Sequence, residues 1–409
     1  MYEDCTTINI CEVCKNKDLK SALNLGLHPM CDDLIEVGNS RQCKEYPIEI
    51  LFCEKCFTAH QRFQIAKQEL FPNNYHYRSR FTNDVLEGMK NLVNSCQKKY
   101  GSLEGKTVLD IGCNDGSLLD YFEDKGSKTI GIEPTDACKD ARKKKHEVYQ
   151  EYLSEKSAKK IVDRYGKIDF ITFTNVFAHI QNLSEVIDSL KLMIKEETKI
   201  IIENHYLVPI IERNQFDTFY HEHPRTYSYN SFKHISKSLG VLIEDVEMPS
   251  RYGGNIRVTM GNCKVRLDLE KTDAIEKNLP KQFSTLNKNI ERWKSTKVKL
   301  IKNLNSEFGK IKAKAFPGRA AILIKLLGIN EEYISAVYEK PGSLKIGHYV
   351  PGTRIPILSD DELFKNINNS EPIINLAWHI SSEIEKYMIT NNFSGKIIHI
   401  LNKNDFIQA

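Results

Sequence analysis

From about residue 107 the chain alternates two hydrophobic periods. Short apolar runs at Val108–Ile111, Thr129–Ile132, Ile168–Thr174 and Lys199–Glu203 are separated by stretches whose apolar positions recur at helical spacing. Runs of that kind predict parallel strands linked by helices, the grammar of an open α/β sheet. A turn at Tyr252–Asn255 precedes one more strand, Ile256–Met260. Residues 264–310 are charged, with Pro280 as the one strong breaker. From Phe283 the positions Leu286, Ile290, Trp293, Leu300, Leu304 and Phe308 fall on one helical face, which predicts a long amphipathic helix with Trp293 in the core. Alternation then resumes: a strand at Lys312–Phe316, a turn at Pro317-Gly318, a helix over Arg319–Leu327, and strands at Ile334–Tyr338, Ile373–Ala377 and Lys396–Leu401. That is the pattern of a second, smaller doubly wound sheet. The expected organisation is therefore α/β throughout its two larger parts: a small module over residues 1–77, a central Rossmann-like domain over 78–263, a linking helix over 264–310, and a carboxy-terminal α/β domain over 311–409.

Composition narrows the setting. A chain of 409 residues with 41% apolar and 27% charged residues is long enough for several buried cores and ordinary for a globular protein. A net charge of +4 is small, and the run Lys143–Lys145 reads as a solvated helix face, so no nucleic-acid partner is expected. No apolar run approaches the roughly 18–20 residues of a membrane span, and MYEDCTTINICEVC lacks a signal-peptide core. Eleven cysteines without an export signal imply a reducing, cytoplasmic location and favour metal binding over disulfides. A monomer is expected.

The cysteines carry the first chemistry. Cys11-Glu-Val-Cys14 and Cys53-Glu-Lys-Cys56 each present two thiolates on a tight turn, and two such turns close a tetrahedral four-sulfur shell, the preferred site of structural zinc. A full set of four sulfurs leaves no position open for a substrate. Cys5, Cys31, Cys43 and His60 read as free thiols and an ordinary surface histidine.

The second lies in VLDIGCNDGSLL. Strand, glycine turn and helix follow one another at the place where a doubly wound sheet binds a nucleotide. A dinucleotide would need Gly at 112, 114 and 117; here Asn114 and Ser117 stand instead, and Asp110 and Asp115 flank the turn. Two carboxylates repel a pyrophosphate and welcome a sulfonium and an ammonium. Glu133, at the end of the next strand and followed by Pro134, suits a pair of ribose hydroxyls. The loop over Asp110, Gly112, Asn114 and Asp115, with Glu133, thus fits S-adenosylmethionine better than NAD.

The third is Phe216-Asp-Thr-Phe-Tyr220-His221-Glu222-His223-Pro-Arg225. Two histidines, a carboxylate and a phenol within four residues are hard to explain by packing, and Pro224 puts them on a loop. Asn175, with His179 four residues on, and Asn204-His205 follow strand ends on the same side of the expected sheet. Tyr75 and Tyr77 lie on a polar connection that either packs as a half-buried strand or reaches over the cofactor loop. The turn-rich segment Lys340–Thr353, with Lys345 and Tyr349, can grip a charged, polar ligand, and the Gly318 turn opening a helix can hold an anion.

Taken together, the paired CxxC module, the methyltransferase-type core, FDTxYHEH, YGGNIR and the terminal PGTRIPI segment resemble the nucleotide-sugar C-methyltransferases, in particular the sugar 3-C-methyltransferases that build branched deoxysugars on dTDP-linked 4-keto intermediates. The resemblance spans essentially the whole chain. It implies a zinc domain, a class I methyltransferase domain and a carboxy-terminal domain that helps bind the nucleotide. Carried over residue by residue, it implies His223 as the base, with Tyr220, Glu222, His179 and Asn175 around the sugar, and Tyr75, Tyr77 and Ser79 close to both ligands. Two positions depart from the family: Asn255 stands where Ser is usual, and AFPGRA where the carboxy-terminal module has a glycine-rich turn. The expected reaction is removal of a proton beside a ketone, attack of the enolate on a methyl sulfonium, and carbon methylation. The competing readings are an O- or N-methyltransferase and a non-catalytic zinc-ribbon binding protein.

Overall fold

The runs of Val, Ile, Leu and Phe that carry no alternation are buried on both faces, as strands in the middle of a layered α/β sheet must be. The computed structural model describes residues 4–73, 75 and 77–406, without the side chain of Tyr252. In chain order the strands of the central sheet are β1 (Thr107–Ile111), β2 (Lys128–Ile132), β3 (Glu147–Tyr149), β4 (Phe170–Thr174), β5 (Lys199–His205), β6 (Leu242–Glu247) and β7 (Asn255–Gly261). They lie in the order β3-β2-β1-β4-β5-β7-β6. All pair in parallel except β7, which runs antiparallel to β5 and β6. The chain winds one way from β1 to β3 and the other way from β4, so a topological switch point opens beyond the carboxyl ends of β1 and β4.

The amino-terminal module is built on antiparallel strands over Lys20–Pro29, Glu45–Cys53 and Thr58–Gln61. Its fourth strand is borrowed: Arg225–Thr226, from the central domain, pairs with His60 and Ala59. The amino-terminal sheet is therefore completed by residues from beyond 77. A second strand pair, Ile35–Glu36 with His348–Tyr349, ties the same module to the carboxy-terminal part.

That last part is an all-parallel sheet in the spatial order Ile357–Ser359, Ile334–Glu339, Ile311–Lys314, Ile373–Asn375, Ile397–His399. The short strand Ile357–Ser359 begins on the last residue of PGTRIPI and gives no sequence signal of its own. The linking segment forms two helices, Glu270–Glu276 and Leu279–Phe308. Pro280 sits in the first turn of the second, where no amide donor is needed. Phe283, Leu286, Ile290, Trp293, Ile301 and Leu304 make its buried face, while Phe308 lies at the exposed end. Trp293 is fully buried, packs on Phe216 at 5.0 Å and donates its indole N–H to the Ile400 carbonyl at 2.9 Å. No helix among the described residues is long and apolar enough to cross a membrane.

Candidate active site and four-sulfur centre

The two CxxC turns meet. The Sγ atoms of Cys11, Cys14, Cys53 and Cys56 all lie within 4.8 Å of one another, with Cys11–Cys56 at 3.4 Å and Cys14–Cys53 at 3.5 Å. Around a zinc ion with bonds of about 2.3 Å, tetrahedral geometry sets sulfurs roughly 3.8 Å apart. The donor set and its dimensions fit structural zinc. His60, expected at the surface, is instead fully buried, with Nδ1 3.6 Å from Glu12 between the first two ligands; the borrowed strand Arg225–Thr226 covers it.

A cleft of about 1200 Å³, open mouth included, lies at the switch point. Asp110, Gly112 and Asn114 form one wall, Glu133 and Pro134 a second, and Asn175, Tyr77 and Ser79 close it. Gly112 has φ +71°, and a Cβ there would come 2.4 Å from Val176 Cγ2, so the bare backbone is what leaves room in the cleft. One Glu133 oxygen accepts from the Thr135 amide at 2.9 Å and hydroxyl at 2.6 Å, and the other from the Asn114 amide at 3.0 Å. These bonds aim the carboxylate across the cleft while burial holds its pKa above the usual range. Asp110 is buried on a 2.7 Å bond from Thr172 Oγ1, and burial pushes it up to about 7. Acidic groups, a glycine cradle and an apolar lining suit a cationic sulfonium nucleoside. Asp115 does not line the cleft: it is fully buried, holding Ser117 with one oxygen and the Arg80 amide with the other.

Beside the cleft the loop 216–225 gathers the candidate reactive side chains. His223 Nδ1 meets the Thr218 carbonyl at 2.9 Å, so Nδ1 carries the proton and donates it, leaving Nε2 with a lone pair. Burial, helped by His179 and His205, keeps the ring neutral. Around it stand Tyr220 (4.3 Å between ring centroids), His179 (4.8 Å) and His205 (5.5 Å). His179 also lines the cleft and thereby connects it to the loop 216–225; burial lowers its pKa to about 4. Glu222 accepts from the Tyr75 hydroxyl at 3.0 Å and lies 4.0 Å from His179, and burial raises it to about 8. Tyr75 thus reaches from the connection into the site rather than packing as a strand. His221 faces away, on the Tyr46 carbonyl at 3.1 Å.

The remaining candidates divide. Lys345 caps the Phe316 carbonyl at 2.7 Å, and its charge lowers the Glu222 pKa, opposing the effect of burial. Tyr349 does not face the reactive groups; it sits in the two-stranded ribbon with Ile35, and its hydroxyl accepts from the Gly38 amide at 3.1 Å. Asn204 is 1% exposed with neither amide atom partnered, and strand alternation sets it on the face opposite His205. Three residues escaped the sequence. Arg225, fully buried, donates to Glu12 at 2.6 Å and to the carbonyls of Ile180 and Gln181, linking the sulfur centre to the cleft wall. Asp217 and Arg319 form a buried cross-domain pair. Only the adjacency of Arg225 to HEHP, and of Asp217 to the same run, could have signalled them.

Three family models match successive parts of the chain. A family model described as "Putative zinc binding domain" matches residues 11–71, "Methyltransferase domain" matches 82–244, and "C-methyltransferase C-terminal domain" matches 251–401. The chain is 24% identical over 399 residues to C-methyltransferase NovU of Streptomyces niveus, covering 94% of each. Among solved structures, magnesium protoporphyrin IX methyltransferase of Synechocystis with bound S-adenosylmethionine is 14% identical, with 44% of this chain and 80% of that one covered and a TM-score of 0.33. The PH0226 protein of Pyrococcus horikoshii is 14% identical, with 48% and 98% covered and a TM-score of 0.36.

Proposed function

Starting from this chain as an S-adenosylmethionine-dependent C-methyltransferase, we propose that its acceptor is the carbon beside the ketone of a nucleotide-linked 4-keto deoxysugar, and that His223 is the general base. The observation that carries the reading is the Nδ1–H bond of His223 to the Thr218 carbonyl. It leaves Nε2 of the neutral, buried ring with a lone pair to accept a proton.

Carbon becomes nucleophilic only when a proton leaves, and the charge then rests on the neighbouring ketone oxygen. A site for that chemistry needs a base at the carbon and neutral donors at the oxygen. Bound in the cleft, the cofactor supplies an electrophilic methyl group on a sulfonium. His223 Nε2 takes the proton. Tyr220, whose pKa is raised by burial, keeps its O–H as a donor to the developing oxyanion, and neutral His179 stands on the same side. Glu222, protonated up to about pH 8 by burial, adds no full negative charge that would oppose the enolate. Lys345, held on the Phe316 carbonyl, is the cation of the carboxy-terminal module we assign to the nucleotide.

Incubation with S-adenosylmethionine and a panel of 4-keto nucleotide sugars, read by mass spectrometry and by exchange of the sugar α-proton with deuterated water, tests this. His223→Asn should bind both ligands and lose about 10²–10⁴-fold in rate, together with the exchange. Near-normal turnover of that variant, or a methyl group found on oxygen, overturns the assignment.

A further inference from the structure

Asp217 is fully buried one residue before Thr218, the carbonyl acceptor of the base. Three donors hold its carboxylate, and all come from the carboxy-terminal module. Arg319 Nε reaches Oδ2 at 2.7 Å, Arg319 Nη2 reaches Oδ1 at 2.8 Å, and the Trp378 indole reaches Oδ2 at 2.8 Å. The guanidinium lies over the Trp378 ring at 5.1 Å, so fork and indole form one rigid clamp. The Thr218 amide donates to the Gln215 carbonyl at 2.9 Å, and the Phe219 amide, in the same peptide unit as the Thr218 oxygen, donates to the Phe216 carbonyl at 3.1 Å. The peptide that presents the Thr218 oxygen is therefore tied by its own amide, and the residue before it is held by the clamp.

We propose that Arg319 and Trp378 are positioning residues for the base: by gripping Asp217 they hold the Thr218 carbonyl that fixes His223 with its proton on Nδ1. This rests on His223 being the base. Domain adhesion alone would not require the clamp at this residue. The carboxy-terminal module has other attachments, including the ribbon of His348–Tyr349 on Ile35–Glu36, Arg354 on the carbonyls of Asn39, Ser40 and Arg41, and buried Trp293. Docking of the module thus survives loss of the clamp, and the effect on the base can be read separately.

The test uses full-length protein labelled with ¹⁵N-histidine, the His223 signals being assigned by their loss in His223→Asn. Wild type should show His223 protonated on Nδ1 and bare at Nε2. Arg319→Met should lose that pure tautomer and lower kcat at least about tenfold, the usual scale for removing a group that orients a reactive side chain, with S-adenosylmethionine affinity and zinc content unchanged. Arg319→Lys, which keeps the charge without the fork, should fall between the two. A folded Arg319→Met with the wild-type tautomer and turnover overturns the proposal, as does a wild-type His223 protonated on Nε2. Should Arg319→Met not fold, Trp378→Phe removes one donor only, and the same two readouts decide: a smaller shift in both supports the clamp, no shift in either refutes it. The tautomer reading needs no acceptor, so a wild type that methylates no 4-keto sugar would defeat the substrate assignment and leave the clamp to the spectra.

Discussion

Gly112→Ala isolates the one atom that the turn after β1 cannot accept. With φ at +71°, alanine at 112 would sit in the left-handed region at a cost of about 1–2 kcal/mol. Its Cβ would also lie 2.4 Å from Val176 Cγ2, 3.0 Å from Val176 Cβ and 3.3 Å from Cγ1. Forcing a methyl group into such a contact costs about 1–3 kcal/mol more. The sum, about 2–5 kcal/mol, divides between stability and cofactor affinity, because Gly112 and Val176 both line the cleft. The measurements are thermal melting and calorimetric affinity for S-adenosylmethionine in Gly112→Ala, Val176→Ala and the double variant. Trimming Val176 removes both of its methyl contacts and leaves the 3.0 Å contact with its Cβ and the backbone strain. The double variant should therefore recover about 1–3 kcal/mol relative to the sum of the singles, a coupling only contacting residues show. A neutral Gly112→Ala, or singles that simply add, would refute the steric account.

Glu133→Ala should weaken S-adenosylmethionine binding by about 1–3 kcal/mol, since it removes a charged hydrogen-bond acceptor; unchanged affinity by calorimetry would place the ribose elsewhere. Purified protein should hold one zinc per chain by elemental analysis, and stripping it should unfold the amino-terminal module, because the metal stabilises a unit with a small core; an unaltered melt after stripping contradicts this. In the cofactor-free chain, burial raises Asp110 to about 7 from an ordinary value of 3.8, so the folded state binds the extra proton between those values. Its contribution to stability is then greatest below about pH 4 and is lost as pH rises to 7. Asp110→Asn should flatten that slope and raise the melting temperature at pH 8; identical slopes for the two proteins would rule the effect out.

The strand–glycine turn–helix at residues 107–123 is legible because its signals are local: β1, two glycines and the helix start lie within a dozen residues, and Glu133 marks the end of the next strand. The sulfur centre was legible because thiol pairs on tight turns have few alternatives. The strands β3 and Ile357–Ser359 were not, since three residues carry no period. Tyr349 looked like a ligand grip because an aromatic in a turn-rich loop has the same composition as an aromatic in a domain ribbon. Asp115 has the composition of a cofactor carboxylate, while its two oxygens are taken by Ser117 and the Arg80 amide. Arg225 and Arg319 act across 213 and 102 residues of sequence respectively, and no window along the chain contains both partners.

The borrowed strand also sets an order of events during synthesis. Thr58–Gln61 is the rim of its sheet until Arg225–Thr226 arrives, and another 165 residues must be made between Gln61 and Thr226. At roughly 5–20 residues per second, the nascent chain spends about ten to thirty seconds with that rim unpaired and with the Glu12 carboxylate awaiting its guanidinium. An open rim is a template for pairing with a neighbouring chain. Zinc capture on the ribosome, which needs only the first 56 residues, would then act as a placeholder, holding the early sheet in register until the rest of the enzyme emerges to cover it.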